Sequence, residues 1–459
     1  MSGTDFVSKQ GQLENLLKLI ELAPWVSLDT EANSMYGYPE KVCLIQLSTE
    51  SVDSIVDPLA KGLDVTPLLK LLEKKPLIMH GADYDLRLLY KGYKFRPRQL
   101  FDTMLAGKLL GEESCGLASL CESYLGIHLI KKYQKADWGR RPIPQDYLNY
   151  AIKDAFYLNE LKLRLEKRLL QCGRLEWHRQ NCQRLIKDCT HPAKPEPSRE
   201  WRIGGCENFS RRELGILREL WYWREAEGIR NCRPLFFIMR PDLLVKIAKA
   251  AAANKKYTHL LPHYSPSMKG RLLQTISNAQ KIPPKKLPMY LKREHQRFTP
   301  LQQHQLEYLT KVRDERAVTL KMDPVLIASR ADLVGCIRDQ EACHLTEWQK
   351  EVLGFKKNES GKLAFTFPDF QISPLPVTSK KESTSSQAAP SGKKTGKNPQ
   401  SKKKEKDKKP LPEPSKETNH SVPSKRKEKT IPVVKSKTKK QEQPSLKQEK
   451  RDKKKIFKK

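Results

Sequence analysis

Apolar positions near the start of the chain follow two rhythms. Leu13, Leu16, Leu17 and Ile20 recur at helical spacing, which predicts an amphipathic helix over 10–22. Three short apolar runs follow, Trp25 to Glu31, Val42 to Ser48 and Ser54 to Asp57. Each is bounded by turn residues and too short for an ordinary helix, so each reads as a strand. Strands in such direct succession predict an antiparallel or mixed edge. Leu77-Ile78-Met79-His80 is the next strand, closed by Gly81, and a helix runs from about Asp83 to Lys91. Phe101 to Leu110 begins with the capping pair Asp102-Thr103 and continues as a helix. A longer helix starts after Pro144 and runs past Leu170. Strands giving way to alternating helices and strands predict an α/β domain over 1–190 with a mixed sheet.

Beyond it the rhythm changes. Thr190 to Arg199 (THPAKPEPSR) is rich in proline and marks a linker, placed at 191–207. Residues 208–288 are helical throughout: Leu214, Leu217, Leu220, Trp221 and Arg224 define one helix, Asp242 to Ala253 a second and Arg271 to Ala279 a third. Residues 298–356 repeat the layout with a charged helix, Asp323-Pro324, Leu333 to Arg338 and Trp348, which reads as a diverged duplication. From 377 to 459 the composition collapses to Lys, Ser, Pro, Glu and Gln. Such a segment cannot bury enough apolar surface to offset its ordering entropy, so a disordered Lys-rich tail is expected.

A chain of 459 residues exceeds one ordinary core, in line with two or three domains. The formal charge is +34, of which the stretch from Lys380 onward carries +19 and the remainder +15. Body and tail are both basic, and the matching partner is a polyanion, nucleic acid before an anionic membrane surface. No apolar run approaches the length of a spanning helix, and the N-terminus lacks the basic-then-apolar layout of a secretory signal. Ten cysteines without a C-x-x-C fit a reducing compartment and a cytoplasmic location, or a nuclear one in a eukaryote, given the basic tail. His178, Cys182, Cys189 and His191 match no standard zinc-finger spacing and read as the end of a charged helix.

Candidate chemistry starts with Asp29 and Glu31 in Leu28-Asp29-Thr30-Glu31-Ala32. Strand alternation sends both carboxylates from one face. Two acids so close resist shared ionisation unless a cation lies between them, and oxygen donors suit Mg²⁺ or Mn²⁺. In His80-Gly81-Ala82-Asp83-Tyr84-Asp85, Asp83 is placed to cap the new helix and Asp85 to point back over the strand ends. Tyr150 and Asp154 stand four apart on a helix and share a face. Singly, each has an ordinary reading as a solvated strand-end acid or a helix surface.

Together, Asp-x-Glu on a first strand, His-Gly-Ala-x-x-Asp at a strand-to-helix turn and Tyr-x-x-x-Asp on a late helix resemble the three motifs of the DEDDy 3′-5′ exonucleases. The stretch DWGRRPIPQDYLNYAIKDAFYL is similar to the segment preceding the third motif in the ribonuclease D family. Arg218 to Glu225 (RELWYWRE), Arg233-Pro234 and Asp242-Leu243-Leu244 resemble the helical HRDC domain shared by RecQ helicases and that family. The resemblance implies a ribonuclease H-like exonuclease domain, then one HRDC domain and a second, degenerate one. It implies Asp29, Glu31, Asp85 and Asp154 as ligands of two divalent ions, Mg²⁺ or Mn²⁺, and Tyr150 as the group orienting the attacking water. It also implies RNA as substrate, tRNA precursors foremost, with His80, Arg140 and Arg141 as RNA contacts. The tail has no counterpart in that family; its runs KKKEKDKK and KRKEK predict binding to nucleic acid or ribosomes without sequence preference. An exosome-associated nuclear exonuclease shares the motifs, but ordinarily has a long N-terminal region and one helical module, whereas this domain begins almost at Met1. A DNA exonuclease and a non-catalytic binder on a dead scaffold are the other readings, and all five key positions are present.

Overall fold

The computed structural model describes residues 5–130, 132–191, 199–261, 263–290, 298–339, 343–357 and 363–368. The tail expected over 377–459 lies outside them, as do residues 192–198 of the linker. One mixed sheet contains β1 (Asp5–Val7), β2 (Val26–Ala32), β3 (Val42–Ser48), β4 (Asp53–Val56), β5 (Pro76–Met79) and β6 (Gln99–Asp102), in the order β1-β4-β3-β2-β5-β6. β3 runs antiparallel to β2 and β4, while β1 with β4, β2 with β5 and β5 with β6 are parallel. The uncharged run VCLIQLS of β3 is buried at every position, as a strand covered on both faces requires. β1 and β6 were not foreseen, because three or four residues are too few for alternation to register. Phe101-Asp102, read as a helix start, instead completes β6, and the helix begins at Thr103.

Around the sheet lie α1 (Gln10–Leu22), α2 (Thr66–Leu72), α3 (Asp83–Tyr93), α4 (Thr103–Leu110), α5 (Leu117–Leu125), α6 (Gln145–Phe156), α7 (Leu158–Gln171) and α8 (Leu175–Thr190). Leu13, Leu16 and Ile20 of α1 join Leu28, Leu47, Leu77 and Leu86 in one apolar cluster. The helix expected to run unbroken from Pro144 past Leu170 is interrupted at Tyr157. Phe156 and Tyr157 meet edge to face at 4.8 Å and both enter a second cluster with Leu109, Leu161 and Leu165. His178 and Cys182 are packed inside on α8, with the His178 ring 2.9 Å from the Asp102 carbonyl. They are helix residues, as their spacing suggested.

Two helical sets follow: α9 (Arg211–Arg230), α10 (Leu235–Ile238), α11 (Pro241–Ala252) and α12 (Pro266–Gln280), then α13 (Pro300–Leu320), α14 (Pro324–Ile327), α15 (Arg330–Arg338) and α16 (Glu347–Leu353). Each long first helix opens with a reciprocal capping box, Ser210 with Glu213 and Thr299 with Gln302. Each is followed by a single turn started by proline, Pro234 before α10 and Pro324 opening α14. The first set has its own core around Leu217, Trp223, Ile247 and Ile276. The second does not: Leu309, Ile327 and Trp348 share a cluster with Leu109 and Leu161 of the α/β domain. Trp348 stacks on Trp177 at 4.7 Å and donates from Nε1 to Asn181 at 3.0 Å. Arg174 donates to the Leu109 carbonyl (2.6 Å) ending α4 and to the Leu320 carbonyl (2.8 Å) ending α13. One guanidinium thus offsets the negative ends of two helices at once. Among the described residues, no helix is long and apolar enough to cross a membrane.

Candidate active site

Asp29 and Glu31 leave β2 on one face, and α6 lies across that face, packed on β2, β3 and β4. Asp154, on α6, completes a cluster in which carboxylate oxygens of Asp29, Glu31 and Asp154 lie within 4.8 Å of one another. Asp85 arrives from the first turn of α3 and is buried, its Oδ1 accepting a hydrogen bond from Thr30 Oγ1. Alternation turns the Thr30 side chain away from the two acids that flank it, and from there it ties α3 to β2. Tyr150, one turn before Asp154, packs against Trp138 (6.3 Å) and Tyr133 (5.7 Å) between ring centres. Asp83 stays outside this group. The N-cap position of α3 falls on Ala82, and Asp83, read as the cap, instead pairs with Arg87 at 2.9 Å.

The turn that presents Asp85 is braced from β6. Asp102 caps α4 through Met104 N (2.8 Å) and Leu105 N (3.0 Å), and also accepts from Gly81 N (3.1 Å) and Ala82 N (2.8 Å). Gly81 has φ +65°, a left-handed conformation that favours glycine, and a Cβ there would press on Met104 Cε at 2.8 Å.

Crowding sets the electrostatics. Burial, then repulsion from Asp85, Asp154 and Glu31, holds the Asp29 carboxyl well above its ordinary range. Burial and the same neighbours push Glu31 to about 9. Burial lifts Asp154 to about 7, and Asp85 to about 6 against the pull of the Thr30 hydrogen bond. Burial and the nearby acids raise the Tyr150 phenol too, so it stays protonated and available as a donor. The charged groups perturbing these acids are other carboxylates, which leaves the positive charge to be supplied from outside. An all-oxygen donor set of this kind fits a hard divalent cation such as Mg²⁺ or Mn²⁺.

A family model described as 3′-5′ exonuclease matches residues 4–170. Ribonuclease D of Zymomonas mobilis is 30% identical over 379 residues, covering 78% of this chain and 95% of that protein. The chain belongs to the ribonuclease D family. Ribonuclease D of Sphingobium indicum is 32% identical over 233 residues, an alignment spanning 50% of this chain and 60% of that relative. Escherichia coli RNase D shares the fold, with a TM-score of 0.61 at 22% identity over 76% of this chain and 96% of that one. The catalytic core of RRP6 from Trypanosoma brucei follows at TM-score 0.52 and 26% identity, over 61% of this chain and 80% of that one. As a ribonuclease D family member the chain is a 3′-5′ exoribonuclease, a hydrolase that acts on RNA with divalent metal.

Of the residues expected at the RNA, Arg141 and His80 both make contacts within this ribonuclease D fold. Arg141 forks onto Asp57 (2.6 and 2.8 Å) and donates to the carbonyls of Cys43 (2.9 Å), Trp138 (2.7 Å) and Arg140 (2.9 Å). All five of its N–H groups are committed within the fold. His80 is half-buried with Nδ1 2.9 Å from Thr103 Oγ1, burial lowers its pKa, and its Nε2 has no hydrogen-bond partner among the described residues. Arg140 remains exposed. Thr30 and Asp102 were missed as supports of the site. The only trace of Thr30 in the sequence is its place between the two acids.

Proposed function

We propose that this protein trims the 3′ ends of structured RNA precursors, tRNA precursors foremost, releasing nucleoside 5′-monophosphates one at a time with two divalent ions. The observation that carries this reading is the convergence of four carboxylates and one phenol at the end of β2. Asp29, Glu31 and Asp154 would hold one ion, and Asp29 would share the second with Asp85. Bound there, the ions lower the pKa of the attacking water and offset the charge on the departing 3′ oxygen. Tyr150, kept protonated by its acidic surroundings, donates to that water and sets its line of approach. Thr30 holds Asp85, and Asp102 holds the turn that carries it.

In this reading residues 1–190 are the exonuclease domain, joined by a linker at 191–207 to an HRDC domain at 208–288 and a degenerate copy at 298–356. The helical sets and exposed bases such as Arg140 grip the RNA body. The tail, 377–459, adds attraction to nucleic acid or ribosomes without sequence preference. The setting is the cytoplasm, or the nucleus of a nucleated cell.

The test is to incubate the full chain and its Asp29→Asn variant with Mg²⁺ and total small RNA, then sequence the 3′ ends. Stepwise shortening of tRNA precursors by the wild type alone is expected. Equal trimming by the variant would remove Asp29 from the reaction, and trimming confined to other RNAs would reject the tRNA assignment.

A further inference from the structure

Gln46 lies in the middle of β3, fully buried, and among the described residues neither its side-chain nitrogen nor its oxygen has a hydrogen-bond partner. Burying an amide in this way is costly, and a leucine or methionine would fill the same place without that cost. Its position gives the reason. In the β2–β3 ladder Gln46 stands directly opposite Asp29. Residues opposed in an antiparallel pair share a face, with Cβ atoms about 4.5–5.5 Å apart. The amide therefore emerges on the acid face beside Asp29, beneath α6, which carries Tyr150 and Asp154.

We infer that Gln46 is a positioning residue for Asp29, its side-chain N–H donating to the carboxylate when a divalent cation occupies the site. A carboxylate has about four acceptor positions and no donor. Oxygen lone pairs turned toward a cation leave others turned back toward the sheet, and the Gln46 amide is the donor that the ladder sets there. The bond would fix the rotation of the Asp29 carboxylate, as outer partners of metal ligands commonly do. This inference rests on the reading of Asp29 as a metal ligand.

The experiment uses the full chain stripped of metal with a chelator, in wild type, Gln46→Met, Gln46→Leu and Asp29→Asn. Mn²⁺ binding is measured by titration calorimetry, and thermal unfolding is followed without metal. Both Gln46 variants should bind Mn²⁺ about tenfold more weakly, with a metal-free Tm equal to or above the wild type, because an unpartnered amide has been removed. Unchanged Mn²⁺ affinity would overturn the proposal. So would a lower metal-free Tm in both variants, which would reveal a partner for the amide within the fold. Asp29→Asn separates the two ideas. If it binds Mn²⁺ as well as the wild type, the site reading itself fails; if it loses binding while the Gln46 variants keep theirs, only the role of Gln46 falls.

Discussion

Replacing Asp29 by Asn should make the metal-free protein more stable, and increasingly so as pH rises. At an effective dielectric near 20, two carboxylates no more than 4.8 Å apart repel by about 3.5 kcal/mol or more. Asp29 faces both Glu31 and Asp154 at that range, so its full charge costs about 7 kcal/mol when all three are ionised. Protonation already relieves most of this near neutrality, which leaves an expected gain of about 1–3 kcal/mol near pH 8. The sign follows from the direction of the shifts. A carboxyl raised in the folded state keeps a proton that the unfolded chain gives up. Its contribution is complete below about pH 4 and is lost as pH climbs through about 6 for Asp85, 7 for Asp154 and 9 for Glu31. Removing the Asp29 charge lowers the shifts of the remaining acids and flattens that loss. Urea unfolding in EDTA should give nearly coincident curves for the two proteins at about pH 5 and a more stable variant at about pH 8.5. Mg²⁺ at about a thousandfold its Kd should reverse the order, since it adds about 4.1 kcal/mol to the protein that binds it. A variant less stable than wild type without metal at the higher pH would refute the argument. Equal stabilisation of both proteins by Mg²⁺ would refute it as well.

Tyr150→Phe should lower kcat about 100-fold while Mn²⁺ affinity, read by calorimetry, stays within about twofold, as the proposed role of the phenol in orienting water rather than holding an ion requires. Arg141→Ala should destabilise the fold by about 2–4 kcal/mol in urea, since it strands the buried Asp57 carboxylate. RNA affinity per folded molecule should not change in that variant, and a selective loss of RNA binding would restore Arg141 as a contact. Arg174→Ala removes a donor from the carbonyl ends of α4 and α13 together and should cost about 2–3 kcal/mol in urea unfolding; unchanged stability would deny it a role in docking the second helical set. Removing residues 380–459 should weaken RNA binding most at low salt, and equal losses at low and high salt would exclude an electrostatic tail.

Relations confined to one element were legible before the fold was known. A period of two puts Asp29 and Glu31 on one face of β2, and a spacing of four puts Tyr150 and Asp154 on one face of α6. The same rule found Leu13, Leu16 and Ile20 of α1. Relations that cross the sheet were not legible, and the site depends on them. Arg141 shows as a basic residue in a loop, and only the topology reveals that its anion is Asp57, 84 positions away. Asp102 and Thr103 carry a clear capping signal, but a helix cap uses only part of the Asp102 carboxylate. The rest is claimed by Gly81 and Ala82 on the neighbouring strand's exit, a claim that exists only because β6 lies beside β5.

The separation has a physical cause that bears on how the site works. Four acids that repel one another cannot hold their own arrangement, so the geometry must be imposed by neutral or oppositely directed groups around them. Thr30 and the amide-laden Asp102 fix Asp85, the Arg141 fork ties the loop before α6 to the sheet, and α6 in turn delivers Tyr150 and Asp154. None of these supports touches the other through sequence proximity. Each instead joins two elements whose adjacency the mixed strand order creates. The acids therefore supply the charge, and the long-range hydrogen bonds supply the positions at which it is held.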